Sequence, residues 1–221
     1  MRTVAQNEIP SNARVFVAGK TGTGKSYLTE TYLTGYDYVI KLDTKDETSE
    51  RRRENKSPWR GLEEGKDFTC VTKLEEIPQC TTKKIIYTPD ITEQDIDTFN
   101  LFFEMIYKRE NTIVWIDELM SISNSPLKYP FYMKACYTRG RSKNIGMWAL
   151  SQRPSDIPAV SLANSEIFIA FKLMLHADRE KLAKMTGTPE FLENPDIPGH
   201  PYAFWYYQDD WENAIRAELI F

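Results

Sequence analysis

The sequence predicts one α/β domain built on a mostly parallel central sheet flanked by helices and closed by a C-terminal β-hairpin. Three observations carry this. Short apolar runs alternate with helix-patterned segments over most of the chain. A glycine-rich stretch at residues 19–26, Gly-Lys-Thr-Gly-Thr-Gly-Lys-Ser, lies between one such run and one such segment. A later apolar run ends in two adjacent acids, Asp117 and Glu118. The length of 221 residues suits a single domain with a sizeable core. No repeat, low-complexity tract or domain boundary interrupts it, so residues 1–221 are read as one domain, with 1–13 as an N-terminal arm and 188–221 as a C-terminal β extension.

The elements follow in order. Residues 14–18 read as a buried strand, and residues 27–33 as a helix stopped by Gly35. A second strand, 36–42, ends in Asp43, Thr44 and Lys45, and ligands of α/β sheets gather outside such carboxyl ends. Residues 48–66 are polar and irregular, and hold the densest basic run, Arg51, Arg52, Arg53, Lys56 and Arg60, with Trp59 among them. Two readings are open for this run: a solvated loop, or a nucleic-acid or intersubunit loop where cations meet phosphates and the indole stacks. Strands follow at 68–71 and 84–87. Asp90 or Thr92 can cap the next helix, whose Ile96, Phe99, Phe102, Phe103 and Ile106 recur at helical spacing and face the core. Residues 111–118 form a strand, 121–129 a loop, and 132–141 a helix with Pro130 near its first turn. A strand at 147–152 leads into a loop at 153–158 broken by prolines. Residues 166–173 are a strand, 178–185 a helix closed by Gly187, and 202–207 with 215–221 the final hairpin.

The chemistry begins at residues 19–26, which fit G-x-x-x-x-G-K-[ST], the Walker A phosphate loop. Glycines let the backbone curl around phosphate oxygens with several N–H groups pointing inward. The following helix aims its N-terminus at the anion. The nucleotide-binding residues expected are Gly19, Lys20, Thr21, Gly22, Thr23, Gly24, Lys25, Ser26 and Tyr27, with Lys25 reaching the β- and γ-phosphates and Ser26 holding Mg²⁺. Asp117 and Glu118 supply the matching Walker B element: Asp117 for Mg²⁺, Glu118 to polarise the attacking water. A glutamate there points to hydrolysis, since a small-molecule kinase must keep water from the γ-phosphate. Gln152, at the end of the next strand, either caps that strand or positions the γ-phosphate and water. Arg139 and Arg141, near Lys134 and Lys143, are either plain surface or an arginine finger for a neighbouring nucleotide.

Bulk numbers bound the partners. The net charge of −4 excludes a chain that binds nucleic acid through overall basicity, so any DNA contact must be local or gathered in an oligomer. Cys70, Cys80 and Cys136 form no C-x-x-C pair and read as free thiols of a reducing compartment, a Cys70–Cys80 disulfide being the alternative. The longest apolar runs are about six residues against the roughly 20 that a bilayer requires. The opening residues lack the apolar core of a signal peptide, so a cytoplasmic protein without its own membrane anchor is expected.

Residues 138–157, Thr-Arg-Gly-Arg-Ser-Lys-Asn-Ile-Gly-Met-Trp-Ala-Leu-Ser-Gln-Arg-Pro-Ser-Asp-Ile, resemble the FtsK–HerA superfamily of DNA-translocating ATPases. The likeness lies in an arginine-bearing helix end, a glycine turn, an apolar strand and the Ser151-Gln152-Arg153-Pro154 loop. Asp43-Thr44-Lys45 and Asp178-Arg179 add to it, and it spans roughly residues 14–187. The resemblance implies a P-loop NTPase core of the additional-strand, RecA-like type, with ATP and Mg²⁺. It further implies a homo-oligomeric ring, usually of six subunits, around double-stranded DNA. By the same likeness Gln152 becomes the sensor glutamine and Arg141 the trans-acting arginine, with Arg139 and Arg179 as rivals. Short motors of this superfamily resemble the genome-packaging ATPases of membrane-containing icosahedral viruses. This implies a host-cytoplasmic and virion location, with capsid or membrane-vertex proteins as further partners. DNA contacts are sought first at residues 51–60 and 134–143. The alternatives are a plasmid, conjugative or DNA-processing translocase, a filamentous-phage assembly ATPase, and a nucleotide-regulated scaffold.

Overall fold

The computed structural model describes residues 9–123 and 125–220. Most of the expected N-terminal arm (residues 1–8), Asn124 of the expected 121–129 loop, and the last residue of the expected final strand, Phe221, lie outside the described residues.

The strands are β1 (Arg14–Ala18), β2 (Val39–Leu42), β3 (Phe68–Val71), β4 (Lys84–Tyr87), β5 (Ile113–Ile116), β6 (Gly146–Ser151), β7 (Ile167–Ala170), β8 (Ala203–Gln208) and β9 (Ile215–Glu218). The helices are α1 (Lys25–Thr34), α2 (Glu47–Arg53), α3 (Ile96–Arg109), α4 (Leu119–Ile122), α5 (Phe131–Arg139), α6 (Ala159–Ala163) and α7 (His176–Thr186). Among the described residues the strands form one nine-stranded sheet in the order β3-β4-β2-β5-β6-β1-β7-β8-β9. The strands from β3 to β7 in that order pair in parallel, and β8 and β9 add as an antiparallel hairpin at one edge. One strand, β6, separates β1, which feeds the phosphate loop, from β5, which carries the acids.

The inner strands are wholly buried because both faces of the sheet are covered, which is why they read as continuous apolar runs. Along β1, Phe16 and Ala18 join Phe99, Phe102, Phe103 and Ile106 of α3 and Met133, Cys136 and Tyr137 of α5 in one layer. Val15 and Val17 face the other layer, with Leu28 and Leu33 of α1 and Trp59. The expected stripe on α3 is thus core, with Ile96 only half-buried at the end of the helix.

Four local expectations are corrected. The cap of α3 is Asp95, which accepts from Asp97 N and Thr98 N at 2.8 and 2.9 Å; residues 91–93, one residue past Asp90 and including Thr92, form a separate 3₁₀ turn. The polar 48–66 segment starts inside α2, whose first turn is anchored on Asp43 and Asp46. Helix α4 begins directly after Glu118 and takes in the first two residues of the expected 121–129 loop, and the short helix α6 forms in residues 159–163, to which no element was assigned.

The fourth correction concerns Arg51 and Trp59 within the basic run. Glu30 of α1 accepts from Arg51 Nη1 and Nη2 at 2.7 and 3.1 Å, from the Arg60 backbone N–H at 2.6 Å, and from the Arg60 guanidinium. Trp59 is fully buried, edge-on to Trp115, and its indole N–H donates to Thr34 Oγ1 at 2.8 Å. Arg52 pairs with Glu64 and Lys56 with Glu54. Arg51, Arg60 and Trp59 therefore staple the loop onto α1, and the Trp59 indole is not offered for stacking on a base. Cys70, Cys80 and Cys136 are free thiols. No described helix is long and apolar enough to cross a membrane.

Candidate active site

The parallel pairing brings the carboxyl ends of β1, β2, β5, β6 and β7 together, and the chemistry gathers there. Gly19 N donates to Ser151 O at the end of β6, and Lys20 N to Lys172 O just past β7. The phosphate loop is thus sewn to both neighbours of β1. Two of its glycines are required by space as well as by backbone angle. Gly19 has φ +151°, and a Cβ there would fall 2.7 Å from Phe171 Cβ. Gly24 has φ +103°, and a Cβ there would fall 2.6 Å from Leu219 Cδ1 of the C-terminal extension. Thr23 Oγ1 donates to Lys20 O at 2.8 Å and cross-braces the curl.

Lys25 opens α1, and its ammonium donates back into the loop, to Gly19 O at 2.6 Å and Lys20 O at 3.0 Å. Burial, and then the nearby Lys45 ammonium, push its pKa down to about 8, against the pull of Glu118. A desolvated ammonium of this kind pairs strongly with an anion. Ser26 is half-buried on the first turn of α1, and Tyr27 follows with its ring under the Arg60 guanidinium, 5.0 Å from the centroid.

Across the sheet edge, Asp117 and Glu118 follow β5 and are 5 % and 6 % exposed. Thr44, just past β2, donates to Asp117 Oδ1 from its backbone N–H at 3.1 Å and its hydroxyl at 3.0 Å. Burial, with Asp43 beside it, pushes Asp117 up to about 7 despite Lys41. Asp43 is held below the usual carboxylate range: Lys41 and the Thr48 hydroxyl and N–H outweigh its burial.

Glu118 Oε2 accepts from Lys45 Nζ at 2.7 Å and from Gln152 Nε2 at 3.3 Å, while Gln152 Oε1 accepts from Thr21 Oγ1 at 2.9 Å. Glu118 Oε1 is buried and, among the described residues, has no protein partner, which leaves an acceptor for a water. A divalent cation fits this donor set. Ser26 and Asp117 offer hard oxygens of the kind Mg²⁺ takes one or two at a time beside phosphate. A positive charge would also relieve the buried Asp117 carboxyl.

Lys25, Glu118 and Gln152 are thus brought together, as are the loop residues 19–27. Arg139 and Arg141 are not. Arg141 Nη1 reaches Glu166 Oε1 at 3.3 Å, the same oxygen that accepts from Arg14 at the start of β1. That places it at the amino ends of the strands, about 16 Å of strand away from the loop on the same chain. Arg179 lies at the loop end of the sheet, but donates to the carbonyls of Leu173 and Leu192. Lys134 is exposed on α5, and Lys143 pairs with Glu110. Residues given no role from sequence also meet here. Lys45 and Thr44 had a signal in the Asp-Thr-Lys strand end. Leu219 and Tyr202, which pack at Gly24, had none, because only the folded hairpin brings them there.

No family model and no curated protein sequence matches the chain. Solved structures do. The genome packaging NTPase B204 from Sulfolobus turreted icosahedral virus 2, in complex with AMPPCP, superposes with a TM-score of 0.70 at 16% identity, over 96% of this chain and 100% of that one. B204, the DNA-packaging ATPase from Sulfolobus turreted icosahedral virus, gives 0.63 at 18% identity over 96% and 99%. The pCW3 conjugation coupling protein TcpA, in monomer form with ATPγS, gives 0.56 at 14% identity over 94% of this chain and 60% of that one. The structural neighbours are thus of the kinds to which the sequence likeness pointed. The chain has the fold of a P-loop NTPase, with the additional strand β6 set between the loop strand and the strand that carries the acids.

Proposed function

We propose that the chain is an ATP-hydrolysing motor that translocates double-stranded DNA and packages a viral genome into a preformed capsid. The observation that carries the hydrolytic part is the bridge from Thr21 through Gln152 to Glu118, which ties the phosphate loop to a buried carboxylate with one open oxygen. The DNA-packaging part is supported by the near full-length fold likeness to B204, since the chain spans that motor end to end.

ATP would lie with its β- and γ-phosphates in the curl of residues 19–26, drawing the Lys25 ammonium off the Gly19 and Lys20 carbonyls. Ser26 and Asp117 would hold Mg²⁺, which when bound neutralises charge developing between the β- and γ-phosphates. Thr44 keeps Asp117 aimed through two hydrogen bonds to one oxygen. Glu118 orients a water and takes its proton, and Gln152 reports the state of the loop to Glu118. The exposed Arg141 at the far end of the sheet serves a neighbouring subunit in a homo-oligomeric ring, with Arg139 and Arg179 as rivals. Capsid or membrane-vertex proteins would anchor that ring, in the host cytoplasm and virion. The likeness to TcpA supports a plasmid DNA translocase as the second reading.

The test is the ATPase rate of the purified chain against added double-stranded DNA, with particle mass measured in parallel. DNA stimulation in a ring-sized particle is expected. No turnover with or without DNA sinks the motor reading.

A further inference from the structure

We propose that Lys45 is a second phosphate-binding cation, held by Glu118 in the resting site and exchanged onto the terminal phosphate when a nucleoside triphosphate binds. The inference rests on the nucleotide-site reading above and adds to it a residue and a trigger.

The placement is set by the fold. Leu42 and Ile116 are register partners on neighbouring parallel strands, so the residues after β2 run beside those after β5. Thr44 fixes this run on Asp117, and Lys45 comes next. Its ammonium lies 2.7 Å from Glu118 Oε2, and among the described residues no other acceptor holds it. The side chain is 42 % exposed, so it is free to move on its four-carbon stem. Lys45 also lies close enough to Lys25 for the two positive charges to oppose each other. Two ammoniums thus face one site, one satisfied by loop carbonyls and the other by the acid that must act as base.

That arrangement has a consequence for Glu118. With the Lys45 ammonium on Oε2, that oxygen is taken up and cannot accept from a water. A triphosphate offers Lys45 oxygens of higher charge within a short swing, and an ammonium has three donors to use on them. Moving Lys45 to the γ-phosphate binds that group and frees Glu118 Oε2 in the same motion. A diphosphate has no group at that point and leaves the ion pair closed. Lys45 would so distinguish ATP from ADP and arm the base only when there is something to hydrolyse.

Equilibrium binding of ATPγS and of ADP to the purified chain tests this, with Lys45→Met, Lys45→Arg and Lys25→Ala. Lys45→Met should weaken ATPγS about tenfold or more, the usual scale for one charged hydrogen bond, and leave ADP within about twofold. Lys45→Arg should keep most of the ATPγS affinity. Lys25→Ala should weaken both nucleotides. The ratio of the two affinities, read on one preparation, does not move if a fraction of the variant is unfolded. Equal losses for both nucleotides, or none for ATPγS, overturn the role of Lys45. If the unaltered chain binds neither nucleotide, the underlying site reading fails instead.

Discussion

Gln152 Nε2 lies 3.3 Å from Glu118 Oε2, and the other end of the same amide accepts from Thr21 in the phosphate loop. An amide can do this because it donates at one end and accepts at the other. Gln152→Ala removes the link while sparing Lys25 and Asp117. Turnover should fall by on the order of 10²-fold, the scale of a misplaced reacting group. The KM for ATP should stay close to that of the unaltered chain. Steady-state kinetics check this. A rise in KM with kcat unchanged would instead make Gln152 a binding residue.

Glu118→Gln keeps the shape of the side chain and loses the base. Turnover should fall about 10²- to 10⁴-fold, the range for a positioned general base. Since the substitution also breaks the pair with Lys45, ATPγS should bind at least as tightly as before. Turnover at the unaltered rate would remove Glu118 from the chemistry.

The loop glycines differ in what surrounds them, and this gives an ordered prediction. Gly22 has φ +79° with no atom of the described residues within 4 Å of an added Cβ, whereas at Gly19 the Cβ would meet Phe171 at 2.7 Å. Gly22→Ala should cost only the left-handed backbone penalty, about 1 to 2 kcal/mol. Gly19→Ala should cost more, because Phe171 is buried and backbone must shift as well. At Gly24 the clash is with Leu219, so Leu219→Ala should recover part of the loss from Gly24→Ala. Thermal melts of the single and double variants decide it, and equal losses at Gly19 and Gly22 would contradict the steric argument.

The contrast between these residues explains what was legible in the sequence. The loop, Asp117 and Glu118 follow strands that alternate between two covered faces, so local pattern places them. Gln152 could be placed because it ends the strand that intervenes between them. Arg51 reads as one more cation of the basic run because one-dimensional charge does not reveal a partner 21 residues away: Glu30 sits on α1 and captures Arg51 only in the fold. Trp59 is hidden for the same reason, its slot being made by Trp115 and Phe68 from separate strands. Lys45 was visible as a residue but not as a contact, since its meeting with Glu118 depends on β2 and β5 being neighbours.

The Glu30 cluster predicts a stability effect without a DNA effect. Glu30→Ala strands the buried Arg51 guanidinium, and breaking such a pair costs about 3 to 5 kcal/mol. For a domain of this size, Tm should fall by roughly 6 to 20 °C. The salt dependence of DNA binding should be unchanged for Arg51→Ala wherever the variant stays folded, because Arg51 is 7 % exposed and faces a carboxylate. A salt slope reduced by about one would restore Arg51 to the DNA surface.

Arg141 sets the last prediction, which concerns assembly. Its side chain is 70 % exposed and, among the described residues, tied only to Glu166, at the opposite ends of the strands from its own phosphate loop. It therefore has no route to the nucleotide of its own subunit. If it acts at all, it acts on a neighbour, where such a group is worth about 10³ to 10⁵ in rate. Arg141→Ala should bind ATPγS normally and lose DNA-stimulated turnover. Lys25→Ala should bind poorly and lose turnover as well. Mixing the two inactive variants should recover activity, since a Lys25→Ala subunit still offers an intact Arg141 to the intact loop beside it. Activity should vary with the mixing ratio and peak at intermediate composition. Recovery with Arg139→Ala but not Arg141→Ala as the partner would leave the Arg139 variant as the one deficient only in trans and remove Arg141 from that role. Failure of every arginine variant to complement would place the accelerating group elsewhere.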